Sequence, residues 1–200
     1  MFSSTILKGA LCAFAVMDMT VQGTTSPEDI ANYQEFAAIM GIEGFNYAFK
    51  SYPMTTASGY EIVMFRITAD PTGAPLVPTK GPLLILHGMF SDPTDFFQQS
   101  NPAAPGLPVQ LAMDGYDVWI GCTRGRDITL NHATIDKSTP ESRFDYWNFS
   151  FEDIGREDVS SMVDTIIASR NQTDECKKVT IVTHSTGANA ALVAATDTGV

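Results

Sequence analysis

The run Val179-Thr180-Ile181-Val182-Thr183-His184-Ser185-Thr186-Gly187, continued by Ala188-Asn189-Ala190-Ala191-Leu192-Val193-Ala194-Ala195, decides how the whole chain is read. The β-branched residues up to Thr183 favour a strand, and the small, straight helix formers after Gly187 favour a helix. Ser185 stands at the junction. A strand that turns sharply into a helix through a serine holds that residue in a strained conformation and lifts its hydroxyl above the carboxyl end of a sheet. Small residues two positions to either side let strand and helix cross closely; Gly187 is one of them, and Thr183 takes the other place. Ser185 is therefore the candidate nucleophile, supported by Gly187.

Upstream, Leu83-Leu84-Ile85-Leu86 is a continuous apolar run ending at His87-Gly88, as expected of a strand buried on both faces. Tyr116-Asp117-Val118-Trp119-Ile120-Gly121 is a second such run, and Val179 to Thr183 a third. Between the last two, Val159, Met162, Val163, Ile166 and Ile167 share one helical face. Buried strands alternating with an amphipathic helix predict an α/β fold with a mostly parallel sheet. Earlier, Tyr60 to Ile67 follows Ser58-Gly59 and pairs naturally with Phe45 to Thr55 as an opening antiparallel hairpin. Ser26-Pro27-Glu28-Asp29 starts a helix through about Met40, and the Pro-, Gly- and Thr-rich segment 70–82 reads as a loop.

A serine that attacks a carbonyl needs two backbone N–H groups aimed at the developing oxyanion, one just after the nucleophile and one from a loop after an earlier strand. Thr186 supplies the first. Met89 supplies the second, at the end of the 83–86 strand, where Gly88 leaves room for the bend and His87 flanks it. The plainer reading of His87-Gly88 is a strand-to-loop turn.

Composition narrows the partners. Two hundred residues, 44% hydrophobic, can bury one ordinary core. A net charge of −11 repels phosphate backbones, so nucleic acid is an unsuitable partner. No zinc spacing, HExxH, GxxxxGK[ST] or GxGxxG occurs, so neither a metal nor a nucleotide cofactor is expected. Lys8, the apolar stretch Gly9 to Met17 and the small residues around Gly23 read as a cleaved secretory signal over 1–23, too short to span a bilayer; a frayed tail is the alternative. Secretion or delivery to a lysosomal or endomembrane lumen would follow, and there the sequons at Asn148 and Asn171 could carry N-glycans. Residues 24–80 then hold the helix and hairpin, and 81–200 the core through the serine turn. Cys122 and Cys176 fall at opposite sheet edges, which predicts two free thiols.

The chain resembles the acid lipases of the gastric and lysosomal type and their cholesteryl-ester-hydrolysing relatives. The likeness extends over about Pro27 to Leu192. It is carried by Tyr52, Ser58-Gly59-Tyr60, Arg66-Ile67, Leu86-His87-Gly88-Met89 and the run Asp114 to Gly121. It continues through Arg124-Gly125, His132, Tyr146 to Asp153, Asp158 and the serine motif. Departures are Thr183 for the family's glycine, Thr186 for its glutamine, and Arg126 and Ile128 for its asparagine and tryptophan. The resemblance implies an α/β-hydrolase fold and a serine ester hydrolase working on triacylglycerols or sterol esters at a lipid–water interface.

In that fold the triad runs Ser, then Asp or Glu, then His. After Ser185 come one acid, Asp197, and no histidine; His87, His132 and His184 all precede the nucleophile. The resemblance implies an acid, a histidine and a cap beyond Val200. The 200-residue form is then a fragment without a complete triad, with its serine strand as an open edge. His132 is expected to be a structural hydrogen-bonding residue, and Trp119 and Trp147 core residues. A non-catalytic lipid- or partner-binding remnant, and a peptidase or thioesterase on the same fold, stay open as alternatives.

Overall fold

The computed structural model describes residues 47–97, 106–170 and 178–197. The signal segment, the 26–40 helix, Asn171 and Cys176 lie outside the described residues.

Five strands form one mixed sheet. β1 (Ala48–Thr55) and β2 (Glu61–Ala69) are the opening hairpin, followed by β3 (Pro82–Leu86), β4 (Asp117–Cys122) and β5 (Thr180–Thr183). The spatial order is β1-β2-β4-β3-β5. β1 with β2 and β2 with β4 are antiparallel, whereas β3 is parallel to both β4 and β5. The hairpin thus extends a parallel three-stranded core whose carboxyl ends all open on one edge, as an α/β-hydrolase sheet requires.

Period-2 alternation distributes the apolar residues to two cores. Ile62, Met64, Leu84, Leu86 and Trp119 face one side and pack with Val159, Met162, Ile166 and Ala190 from helices. Phe65, Ile67, Leu83, Ile85, Val118 and Ile120 face the other, with Phe49 and Ala112. β3 and β4 are buried along their whole length. β5 differs from the fully buried strand expected: Thr180 is exposed and the rest half-buried, because β3 is its only strand neighbour among the described residues.

The helices are α1 (Leu107–Met113), α2 (Pro140–Trp147), α3 (Phe151–Asp153), α4 (Ser160–Ala168) and α5 (Thr186–Asp197). Thr139 caps α2 and Ser150 caps α3, each reciprocated by the side chain three residues on. Between α3 and α4 the chain widens into a π-helical stretch, Ile154–Val159, which the apolar spacing did not reveal. There Gly155 lies so close to α5 that a methyl group on it would stand 2.6 Å from the Ala190 carbonyl oxygen. The helix after the serine is thereby seated on the π turn.

Trp119 is fully buried, but Trp147 is 51% exposed, contrary to its expected core placement. It lies on the outer side of α2, its ring stacked at a tilt against Phe149 and covering Gly125. Among the described residues no helix is long and apolar enough to cross a membrane, and no cluster of His, Cys, Asp or Glu could hold a metal ion.

Candidate active site

Ser185 has φ = +53°, in the left-handed region that costs a non-glycine residue roughly 1–2 kcal/mol. It is held there from both sides. His184 N–H extends the β3 pairing by donating to the Leu86 carbonyl at 3.0 Å. Gly187 N–H and Ala188 N–H then donate back to the His184 and Ser185 carbonyls at 3.0 and 2.9 Å, closing the turn into α5. The turn must pass the end of β3 at backbone distance: a methyl group on Gly187 would stand 2.6 Å from the His87 carbonyl oxygen. The strain is local, and the Ser185 side chain is left exposed.

The loop after β3 meets this turn. A methyl group on Gly88 would stand 2.8 Å from Ser185 Cβ, so only glycine brings the 87–89 backbone so near the serine. The loop closes with Ser91 N–H to the Gly88 carbonyl at 3.4 Å, and Phe90 adopts φ = +58°. Met89 and Phe90 are exposed despite being large and apolar. Neither Met89 N–H nor Thr186 N–H donates to a partner among the described residues. Two unspent amides therefore flank the serine, at the positions where the sequence puts the oxyanion donors.

His87 is buried within this loop rather than aimed at the hydroxyl. Its Nε2 accepts from Thr123 N–H at 3.2 Å, and its Nδ1 lies 2.9 Å from the Gly88 carbonyl. Burial, which disfavours the charged ring, holds it below its ordinary value, and the nearby Arg126 charge acts the same way. His132 is likewise structural: its Nδ1 accepts from Thr134 and Ile135 N–H at 3.1 Å, and its ring packs 4.7 Å from that of Tyr60. Asp197 pairs with Arg156 at the far end of α5, about 18 Å along the helix from the serine. Ser185 thus has no acid or base of a triad beside it among the described residues.

Arg124 and Asp158, which the sequence offered only as separate points of resemblance, meet in a buried polar cluster. Arg124, just past β4, is 1% exposed and meets Asp158, 0% exposed, through Nη2 at 2.6 Å and Nε at 2.9 Å. Its own backbone N–H donates to the other carboxylate oxygen at 2.8 Å. Glu157 adds a second acceptor at 2.7 Å and also accepts from the Ser58 hydroxyl of the hairpin turn. The guanidinium lies 4.0 Å over the Tyr60 ring. Burial works against the charge on Arg124, but the hydrogen bonds and charges of Asp158 and Glu157 outweigh it and keep the group charged. A signal existed: Asp158 occupies the apolar stripe of the helical run, in register with Met162 and Ile166.

Cys122 is a free thiol, fully buried at the end of β4, and burial pushes it up to about 12. Asn148 is exposed at the end of α2.

No protein-family model matches the chain. Human (Homo sapiens) lipase member N is 27% identical over 189 residues, covering 94% of this chain and 43% of its own length. Lipase member N of Mus musculus is 30% identical over 192 residues, again 94% and 43%. Gastric triacylglycerol lipase of Bos taurus is 28% identical over 169 residues, 84% of this chain and 39% of its own length. The chain therefore spans less than half the length of the curated relatives it matches. Among solved structures, an acetyl xylan esterase from Paenibacillus sp. R4 aligns over 84% of this chain and 55% of its own, at TM-score 0.47 and 16% identity.

Proposed function

The chain belongs to the acid lipase family, and from that premise we propose that it carries the nucleophile and the oxyanion hole of a serine ester hydrolase acting on neutral lipid esters. The observation that carries the reading is Ser185 at φ = +53° beside the Gly88 backbone, with the Met89 and Thr186 amides unspent. Ser185 Oγ attacks the ester carbonyl carbon, and the carbonyl electron pair moves onto oxygen, where the two N–H groups receive it. Collapse of the tetrahedral intermediate expels the alcohol and leaves an acyl-serine. Water then attacks that acyl group and releases the fatty acid. The serine proton passes to a general base, a part that neither His87, with both ring nitrogens engaged by backbone groups, nor His132, whose Nδ1 accepts from two backbone amides, takes. The exposed Met89 and Phe90 side chains beside the serine suit an acyl chain or a lipid surface better than a polar substrate. Triacylglycerols or sterol esters are the proposed substrates.

The test is Ser185→Ala in the full-length protein, assayed on a triacylglycerol emulsion and a cholesteryl ester. Hydrolysis is expected to fall by about a thousandfold or more with the fold unchanged by circular dichroism. Retained hydrolysis would remove Ser185 from the reaction. A second reading, a lipid-binding remnant without turnover, draws on the lack of a triad base beside Ser185 among the described residues. It predicts lipid binding with no labelling of Ser185 by a fluorophosphonate.

A further inference from the structure

A backbone amide is useful as an oxyanion donor only if its peptide plane is turned the right way, and nothing in the sequence of a glycine-containing loop guarantees that. Gly88 C=O and Met89 N–H are opposite poles of one peptide unit, and no peptide bond in the described residues is cis. Fixing the direction of the Gly88 carbonyl therefore fixes the opposite direction for the Met89 N–H.

The side chain of His87 does this. Thr123 N–H can only donate, so His87 Nε2, at 3.2 Å, is the acceptor and bears no proton. The neutral ring must then carry its proton on Nδ1, which donates to the Gly88 carbonyl at 2.9 Å. Thr123 is in turn anchored through its neighbour, because the Arg124 N–H donates to the buried Asp158 carboxylate at 2.8 Å. A chain of contacts thus leads from the buried Arg124–Asp158 pair through the Thr123 amide and the His87 ring to the Gly88–Met89 peptide beside Ser185.

We infer that His87 is a positioning residue, whose Nδ1–H holds the Gly88 carbonyl so that the Met89 N–H is turned toward the oxyanion of the acyl-transfer step. The inference rests on the reading of Ser185 as a nucleophile and Met89 as an oxyanion donor. It assigns His87 no proton transfer and no contact with substrate.

Two substitutions separate the ring's two nitrogens. The amide nitrogen of His87→Asn falls near Nδ1 and keeps the donor to Gly88, whereas that of His87→Gln falls near Nε2 and loses it. In the full-length enzyme, kcat on a soluble ester is expected to stay within about threefold for His87→Asn. For His87→Gln it should drop about 10–100-fold at unchanged KM, since a misaimed oxyanion amide forfeits part of the 10²–10³ a donor supplies. Affinity for a boronic acid transition-state analogue should fall by the same factor. Equal kcat in both variants, or a loss confined to KM, would overturn the inference. If the wild-type enzyme hydrolyses no ester, the proposed function fails first. The ring geometry is still testable there by ¹⁵N NMR of His87, where a proton on Nε2 rather than Nδ1 would overturn it.

Discussion

Two polar regions lie at the carboxyl ends of neighbouring strands and are built on opposite principles. At the ends of β3 and β5, Ser185 and Phe90 hold left-handed backbones, two amides have no partner among the described residues, and the side chains of Met89, Phe90 and Ser185 face outward. At the end of β4, Arg124 and Asp158 are buried, and the Arg124 guanidinium donates to two carboxylates while its backbone N–H is clamped by one of them. Strain and unspent hydrogen-bonding capacity persist only where surrounding structure over-determines them. The satisfied cluster supplies that structure: it joins the hairpin turn at Ser58, the end of β4 and the π-helical stretch on which α5 is seated.

Breaking the satisfied region should therefore have the largest effect on stability. Asp158→Ala leaves Arg124 buried with only Glu157 as carboxylate partner. Removing one member of a buried pair costs about 3–5 kcal/mol, and the remaining Glu157 places this variant near the low end. Urea unfolding of the full-length protein should show the midpoint falling with the slope unchanged. A shift worth less than about 1 kcal/mol would mean that the cluster is not what holds the end of β4 to the helical run.

How these regions could be read in the sequence follows from the range of the interactions that make them. The serine turn was legible because its signals are local: β-branched residues before it, small helix formers after it and Gly187 at the crossing. β2, β3 and β4 were legible for the same reason, each within a residue or two of its bounds, and the expected first hairpin strand shares its end, Thr55, with β1. The Arg124–Asp158 pair joins residues 34 apart, and the Ser58–Glu157 bond residues 99 apart, so spacing could not announce either. The π turn was hidden because a single extra residue in a helix leaves the apolar stripe on both sides intact. His87 was read only as a flanking residue, since its role depends on Thr123, 36 residues on and just past the end of β4. Trp147 was expected in the core with Trp119, but it is half exposed. The helix turns Tyr146 inward and leaves Trp147 as a lid on Gly125.

The link between the two regions gives the next effect, a dependence on pH. His87 is held neutral in the folded protein by burial, below its ordinary value of 6.5, so between its folded value and 6.5 the unfolded chain binds a proton that the native state refuses. Stability from this group is complete above about pH 6.5 and is lost as pH falls toward the folded value. The slope it contributes is at most about 1.4 kcal/mol per pH unit. Asp153, held below its ordinary range by hydrogen bonds from Ser150, and Glu157, where burial pushes the other way but hydrogen bonds from Ser58 and Arg124 and the Arg124 charge together outweigh it, lose stability only at lower pH. Melting temperatures of wild type and His87→Gln, compared from pH 7 downward, should converge as the wild-type contribution disappears. Parallel curves across that range would show that the ring is not held neutral.

The smallest effect tests the strained region itself. Ser185→Gly removes the side chain that makes φ = +53° unfavourable, relieving about 1–2 kcal/mol, while the added freedom of glycine in the unfolded chain returns about 0.5–1 kcal/mol. The variant should be inactive and more stable by about 0.5–1 kcal/mol, a rise of a few degrees at most in a chain of this size. The sign is the decisive outcome. A buried or half-buried serine in a relaxed conformation would lose stability on the same change, as glycine does in most helices and strands. A stabilised, inactive Ser185→Gly would mean that the turn is strained in order to present the hydroxyl. A destabilised one would mean that the Ser185 side chain belongs to the packing, and that the contrast with the Arg124 region is one of exposure alone.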